Sequence, residues 1–359
     1  MTNQKLVASS YAPDDVTILL QDVRGRVPIL DTAEREKLNQ SGVHYSEMLP
    51  LEYVPSTEYL KIYYDILHSQ GEQTAQATIN LAEKLVERKG LENITLVSLA
   101  RAGTPIGILL KRYLEQTYKI IIPHYTISII RGKGIDKAAM KTILEQHSAK
   151  SIVFVDGWIG KGAINRVLKE AVKELNVPDL SPELAVLSDP ASETTLYGTT
   201  EDFLIPSSCL NSTISGLISR TVHLKTMTDD ELHGAIYYQE NEDSDLSLEF
   251  LTEIESYFSK LQPQTTTAPV NTDMKGLDEV HKIAKEFHVK DINKIKPSLG
   301  ETIRVLLRRV PDVILIRLDA NPNIIAPILQ LAKEKNIPIQ EYPLQKYNAC
   351  GIIKDVADL

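Results

Sequence analysis

Short apolar runs bounded by glycine, proline or acids alternate with stretches of helical periodicity along the first two hundred residues. Residues 94–99, 152–155 and 184–188 are rich in Val, Ile, Leu and Phe, which predicts strands buried on both faces of a parallel sheet. A further run, 119–130, is interrupted by Pro123 and His124, and 203–205 is a shorter one. Residues 16–23, led in by Pro13, Asp14 and Asp15, predict a helix, because proline and acids suit a helix N-terminus. Residues 74–88 have helical spacing with Gly90 as the stop, and 163–175 read as another helix. The turn 100–105 leads into a helix to about residue 115, with Pro105 in its first turn. Alternating βα units with short loops predict an α/β fold: an open, mostly parallel sheet with its ligand outside the carboxyl ends of the strands.

The pattern breaks at 260–272, KLQPQTTTAPVNT, which is polar, rich in Pro and Thr, and without periodicity. We therefore expect one domain over 1–262, a linker at 263–274 and a small three-layer α/β domain over 275–359. In the second domain, residues 301–310 place Ile303, Leu306, Leu307 and Val310 on one helical face. Strands are expected at 312–318, 337–342 and 351–356, and a helix at 323–335 that Pro327 delays or kinks.

Charge sharpens this division. From Lys275 onward there are 14 Lys and Arg against 11 Asp and Glu, +3, whereas the remainder has 25 against 37, −12. Only Cys209 and Cys350 occur, too few for a disulfide framework or a cysteine zinc site, and the histidines form no metal-binding pair. No apolar run approaches the roughly 20 residues that span a bilayer, so a cytoplasmic protein without a membrane partner is expected.

The chemistry concentrates at SIVFVDGWIGKGAINR, residues 151–166. An apolar strand ends at Asp156; Gly157, Gly160 and Gly162 then let the backbone turn with its N–H groups uncovered, and a helix follows, a combination that favours anions. Lys161 adds a positive charge. The spacing excludes both a Walker A loop and a dinucleotide fingerprint. An ordinary strand-turn-helix corner is the plainer alternative. The stretch resembles the diphosphoribosyl-binding loop of type I phosphoribosyltransferases, although Gly157 stands where the family's second acid is usual. The resemblance implies that Asp156 holds ribose and that Gly160, Lys161, Gly162 and Ala163 wrap a 5′-phosphate. Arg101, Ala102 and Gly103 would receive pyrophosphate. Arg131 and Lys133, between Ile130 and Gly134, would close over the diphosphate as catalytic cations, and His44 and Tyr45 would face the base.

At larger scale, SYAPDDVTILL, SGVHYSEMLPLEYVPS, LARAGTPIG, PHYTISIIRGKGID, VFVDGWIGKGA and EDFLIPSSCLNSTISGL resemble the phosphoribosyltransferase-like proteins of bacterial tellurite-resistance and stress gene clusters. The C-terminal part resembles their PELOTA RNA-binding domain. These resemblances imply a type I phosphoribosyltransferase-like sheet with a hood, acting on phosphoribosyl diphosphate or a nucleotide-like compound. Mg²⁺ would be held near Asp156 with the diphosphate rather than by protein ligands alone. Lys296, Gly300, Glu301, Thr302, Arg304 and Arg308 would contact structured RNA, the helix start at Gly300 offering its N–H groups to a phosphate. The family is also called StiP and labelled a cysteine protease. That implies a different chemistry, with Cys209 as nucleophile and His44, His124 or His233 as partner. A buried structural role for Cys209, and a non-catalytic nucleotide sensor, are the remaining alternatives.

Overall fold

The computed structural model describes residues 5–52, 54–265 and 274–354, without the side chains of residues 32, 33, 36, 40 and 308. Its centre is a six-stranded sheet made of β1 (Thr17–Ile18), β2 (Thr95–Leu99), β3 (His124–Ile127), β4 (Ile152–Trp158), β5 (Leu184–Ser188) and β6 (Tyr197–Thr199). The spatial order is β1-β3-β2-β4-β5-β6, and every neighbouring pair is parallel. The residues of β2 and β5 are all buried, as continuous apolar strands of a covered parallel sheet require. Helices α1 (Thr57–Lys89), α2 (Gly103–Tyr118), α3 (Lys137–Leu144) and α4 (Ala163–Leu175) flank the sheet. The 33-residue α1 begins at Ser56, whose hydroxyl accepts from Tyr59 N–H, and stops at Gly90 with φ +75°.

This order has a consequence for where ligands bind. From β2 the chain crosses to β3 on one side; from β4 it proceeds to β5 on the other. The crevice between the carboxyl ends of β2 and β4 is thus the topological switch point, where open α/β sheets bind ligands.

Two expected elements differ. Residues 16–23 form no helix: Thr17–Ile18 pair with Tyr125 and Thr126 as edge strand β1, and Gln21–Asp22 pair with Gly234–Ala235. The β-branched Val16, Thr17 and Ile18 fit a pleated edge better than a helix, and the sheet decides the outcome. Residues 203–205 bury Phe203, Leu204 and Ile205 but join no strand, and the edge is taken by β6 instead. Residues 5–52 and 212–245 build a lobe beside the sheet around Val23, Leu49, Val222, Ile236 and Tyr238.

After α5 (Ser247–Glu255), the chain is described to residue 265 and again from 274. Most of the expected linker lies outside the described residues. The C-terminal module runs α6 (Gly276–Glu286), β7 (Ile295–Pro297), α7 (Leu299–Arg308), β8 (Pro311–Arg317), α8 (Pro322–Glu334), β9 (Ile339–Tyr342) and β10 (Ala349–Ile353). Its mixed sheet has the order β7-β10-β8-β9, with only β8 and β9 parallel. Val280 and Ile283 of α6 pack with Leu315 and Cys350 on one face; Ile303 and Leu306 of α7 join Ile314, Ile316 and Ile328 in a separate cluster. Pro327 stands inside α8 without ending it.

The module is seated on the sheet domain. The apolar cluster that holds Val153, Val155, Leu204, Ile205 and Cys209 also holds Leu299, Ile303 and Leu306. Asp202 accepts from the N–H groups of Leu299 and Asn348, and Gly276 packs so closely that a Cβ would lie 2.9 Å from Ala191 Cα. No helix among the described residues is long and apolar enough to cross a membrane.

Candidate functional site

β4 carries Asp156 at the switch point, and strand pairing continues to Trp158, two residues beyond that acid. Burial raises the Asp156 carboxyl to about 6, against the opposing Gly157 N–H, which donates to its Oδ1. Gly162, with φ +74°, caps α4, and an added Cβ would meet the Glu193 carboxyl at 2.9 Å. Across the crevice, Ala102 precedes α2, and Gly103 lies so near β4 that a Cβ would stand 2.3 Å from Val155 O. That glycine is there for helix–strand contact.

Arg101 is already engaged. Its guanidinium pairs with Glu52 at 2.7 Å and donates to Ile218 O and Asn211 Oδ1. Burial would raise the Glu52 carboxyl, yet Arg101 and Ser212 N–H outweigh it and hold the group below its usual range. Arg131 and Lys133 are exposed on a tight hairpin in which Ile129–Ile130 pair antiparallel with Gly134–Ile135. Arg131 N–H donates to the Tyr45 hydroxyl, and the Tyr45 ring lies 5.8 Å from the Arg131 guanidinium. His44 Nδ1 is 2.8 Å from Ser46 Oγ, and burial with the nearby charge of Lys133 holds its pKa below the ordinary value.

Lys161 does something other than bind a free anion. Its ammonium is buried and donates to Ile292 O and Ile295 O of the module at 2.5 and 2.8 Å, with burial lowering its pKa to about 8. Tyr347 donates to Gly160 O, fastening the same loop from the other side.

The module's candidate RNA residues meet this loop. Gly300 packs flat on Trp158, a Cβ there lying 3.0 Å from the indole. Asp202 takes Leu299 N–H, Ser298 Oγ takes Glu301 N–H, and Thr302 donates to Lys296 O. The start of α7 therefore spends these N–H groups within the protein rather than on a phosphate. Arg304 pairs with Glu301 at 3.5 Å and lies 4.4 Å over the Trp158 ring. The side chain of Arg308 lies outside the described residues.

Among the described residues, two cavities lie at this junction. The smaller, ≈ 270 Å³, lies between the glycine loop and the module, with Asp156, Ala163, Arg131, Lys296 and Arg304 on its walls. The larger, ≈ 1090 Å³, lies between β2, the lobe and α7; Arg101, Ala102, Asp156, Cys209 and Arg304 line it. Cys209 ends a short 3₁₀ turn, Pro206–Cys209, against which α7 packs, and Tyr59 donates to its carbonyl. Cys350 faces the module core, where burial pushes its thiol far up. Among the described residues lining the larger cavity there is no histidine. His124 is held between Ser98 Oγ and Asp15 O and pushed down to about 4 by burial; His233 contacts Ser128 Oγ and is pushed down to about 3. No group of three or more His, Cys, Asp or Glu stands together as a metal site among the described residues.

Residues 9–255 match the family model described as tellurite-like stress resistance cysteine protease StiP, and residues 274–355 match the PELOTA RNA binding domain. A curated relative from Acinetobacter baylyi, named cysteine protease StiP, is 38% identical over 349 residues, covering 93% of this chain and 90% of that protein. The chain belongs to the StiP family. This overturns the expected phosphoribosyltransferase: the StiP relative and the family model both carry a cysteine-protease description, and the site agrees that Lys161 and Arg101, meant for phosphate, are committed to protein partners. A solved structure proposed to be a phosphosugar isomerase, from Clostridium difficile 630, is 13% identical, covers 79% of this chain and 68% of that one, and has a TM-score of 0.21, too low to bear on the fold.

Sequence reasoning missed Glu52, Asn211, Trp158 and Arg220. Glu52 lies in SGVHYSEMLPLEYVPS, the stretch that carries His44 and Tyr45 and is dense in His, Tyr and Pro, and Trp158 is the chain's single tryptophan, set between the loop glycines; these were available signals. Arg220, which donates to Tyr45 O and Met48 O, had none.

Proposed function

We propose that this chain is a cysteine hydrolase of peptide bonds in the stress response its relatives are named for, with Cys209 as the nucleophile and an RNA-binding C-terminal module. The observation that carries the reading is that, although both cysteines are buried, Cys209 borders the large switch-point cavity while Cys350 lies within the module core. Arg304 lies within electrostatic reach of Cys209, so a thiolate there and the guanidinium favour each other's charge. The thiolate adds to a peptide carbonyl carbon; the amine leaves with the thiol's proton and a thioester remains, which water cleaves to release the acid and restore the thiol. Asp156, raised to about 6, is the group on the same wall suited to exchanging that proton near neutral pH.

In architecture the reading is of a phosphoribosyltransferase-like open sheet that carries thiol chemistry. What supports it is the all-parallel order, the glycine turn opening α4, and the lobe beside the strand ends, the counterpart of a hood. The experiment is peptidase assay of the full chain against denatured protein substrate. Cys209→Ala should abolish activity and Cys350→Ala should retain it; equal activity of wild type and Cys209→Ala would overturn the assignment.

A further inference from the structure

The large cavity has a charge that a peptidase cleft does not explain. Seven of its lining residues are Lys or Arg and three are acids, in a chain whose formal charge is −9. Four of the seven, Lys296, Arg304, Arg309 and Lys354, come from the module matched to an RNA-binding domain. The Nε of Arg304 is buried without a hydrogen-bond partner. Arg309 is exposed at the end of α7, and Lys354 follows β10, its backbone N–H donating to Val310 O, so the two form a basic rim. The other approach, the start of α7, is closed by Trp158 and Asp202. At ≈ 1090 Å³ the cavity stands at the upper end of the ~300–1,000 Å³ of small-molecule pockets, with room for a segment of an extended chain.

We propose that single-stranded RNA bound by the module enters this cavity across the Arg309–Lys354 rim and covers Cys209, so that RNA and peptide compete for one cleft. Phosphates would neutralise the module's cations and displace their counterions, the usual source of nucleic-acid affinity. Stacking of bases would fall to Tyr59, the aromatic side chain on this wall among the described residues. An acidic peptide shares the charge, but not the reason why the RNA-binding module supplies the rim. This inference rests on the assignment of Cys209 as nucleophile only for its regulatory meaning; cavity occupancy stands or falls independently.

The test uses the full chain with a fluorescein-labelled twelve-residue oligouridylate, and iodoacetamide labelling of Cys209 read by mass spectrometry. RNA should bind with an affinity that falls steeply with salt and should slow Cys209 alkylation more than about fivefold at saturation. Arg309→Gln with Lys354→Gln should weaken binding by about tenfold or more and remove the protection; Arg309→Gln alone, at an exposed position, should do so in part. Should Cys209 resist alkylation in the free chain, a 4-thiouridine oligonucleotide should crosslink within residues 207–215. The proposal fails if RNA does not bind, if it binds while Cys209 stays equally reactive, if crosslinks fall only outside the cavity, or if polyglutamate of matched charge protects as well as RNA. Protection without any peptidase activity would sustain it and sink the hydrolase reading instead.

Discussion

The Arg304 guanidinium, from the C-terminal module, lies 4.4 Å over the ring of Trp158, at the end of the strand that carries Asp156. One side chain thus joins the two halves and reaches toward Cys209. Because Trp158 is the single tryptophan, its emission reports this junction directly. Arg304→Ala should red-shift that emission and lower stability by about 0.5–2 kcal/mol, as expected for a partly desolvated cation–π contact; an unchanged spectrum would show that the contact does not persist in solution.

The acid limb of hydrolysis should lie near the value to which burial raises Asp156. Activity should fall as pH drops through about 6, because a protonated carboxyl no longer accepts a proton, and Asp156→Asn should abolish that limb. Profiles of kcat/KM for the two proteins check it. A limb of the same position in the Asn variant would assign it to another group.

Asp202 makes a separate pH prediction, about stability. Burial raises its pKa from 3.8 to about 7 while it holds Leu299 and Asn348 N–H groups. The folded chain therefore keeps a proton that the unfolded chain has lost, so the contribution of the neutral form is full below 3.8 and disappears as pH rises to about 7. Measured against Asp202→Asn, the wild type should lose stability across that window, by ~1.4 kcal/mol per pH unit at most. A pH-independent difference between the two melting temperatures would contradict it.

Gly103→Ala should destabilise the fold by about 1–3 kcal/mol, since its Cβ would press on Val155 O at 2.3 Å and on Asp156 Cα at 3.2 Å. Thermal melts give the stability loss, and the acid limb of the same variant tells whether Asp156 has shifted.

Elements written in local pattern were legible. The apolar runs at β4 and β5, and the helix α4 behind its glycines, lie where periodicity placed them, because burial on both faces demands such sequences. Residues 16–23 misled because a β-branched apolar stretch suits either element, and only the neighbouring β3 resolves the choice. The crevice was legible as a place, since glycines and an acid after a strand mark a switch point. Its contents were not. Whether Lys161 faces a phosphate or two carbonyls from more than 130 residues away depends on how the module docks, and nothing local encodes that. The same holds for Cys209, whose 3₁₀ turn acquires its meaning from α7 packed against it.

The shared apolar cluster of Val153, Leu204 and Ile205 with Leu299, Ile303 and Leu306 makes the covalent connection between the halves dispensable to their cohesion. Expressed as two polypeptides split between 265 and 274, the fragments should associate and restore the native tryptophan environment. Either fragment alone would present a bare apolar face to water and be drawn to chaperones or aggregates. Proteolytic nicking at that connection would thus leave an assembled heterodimer rather than two separated fragments.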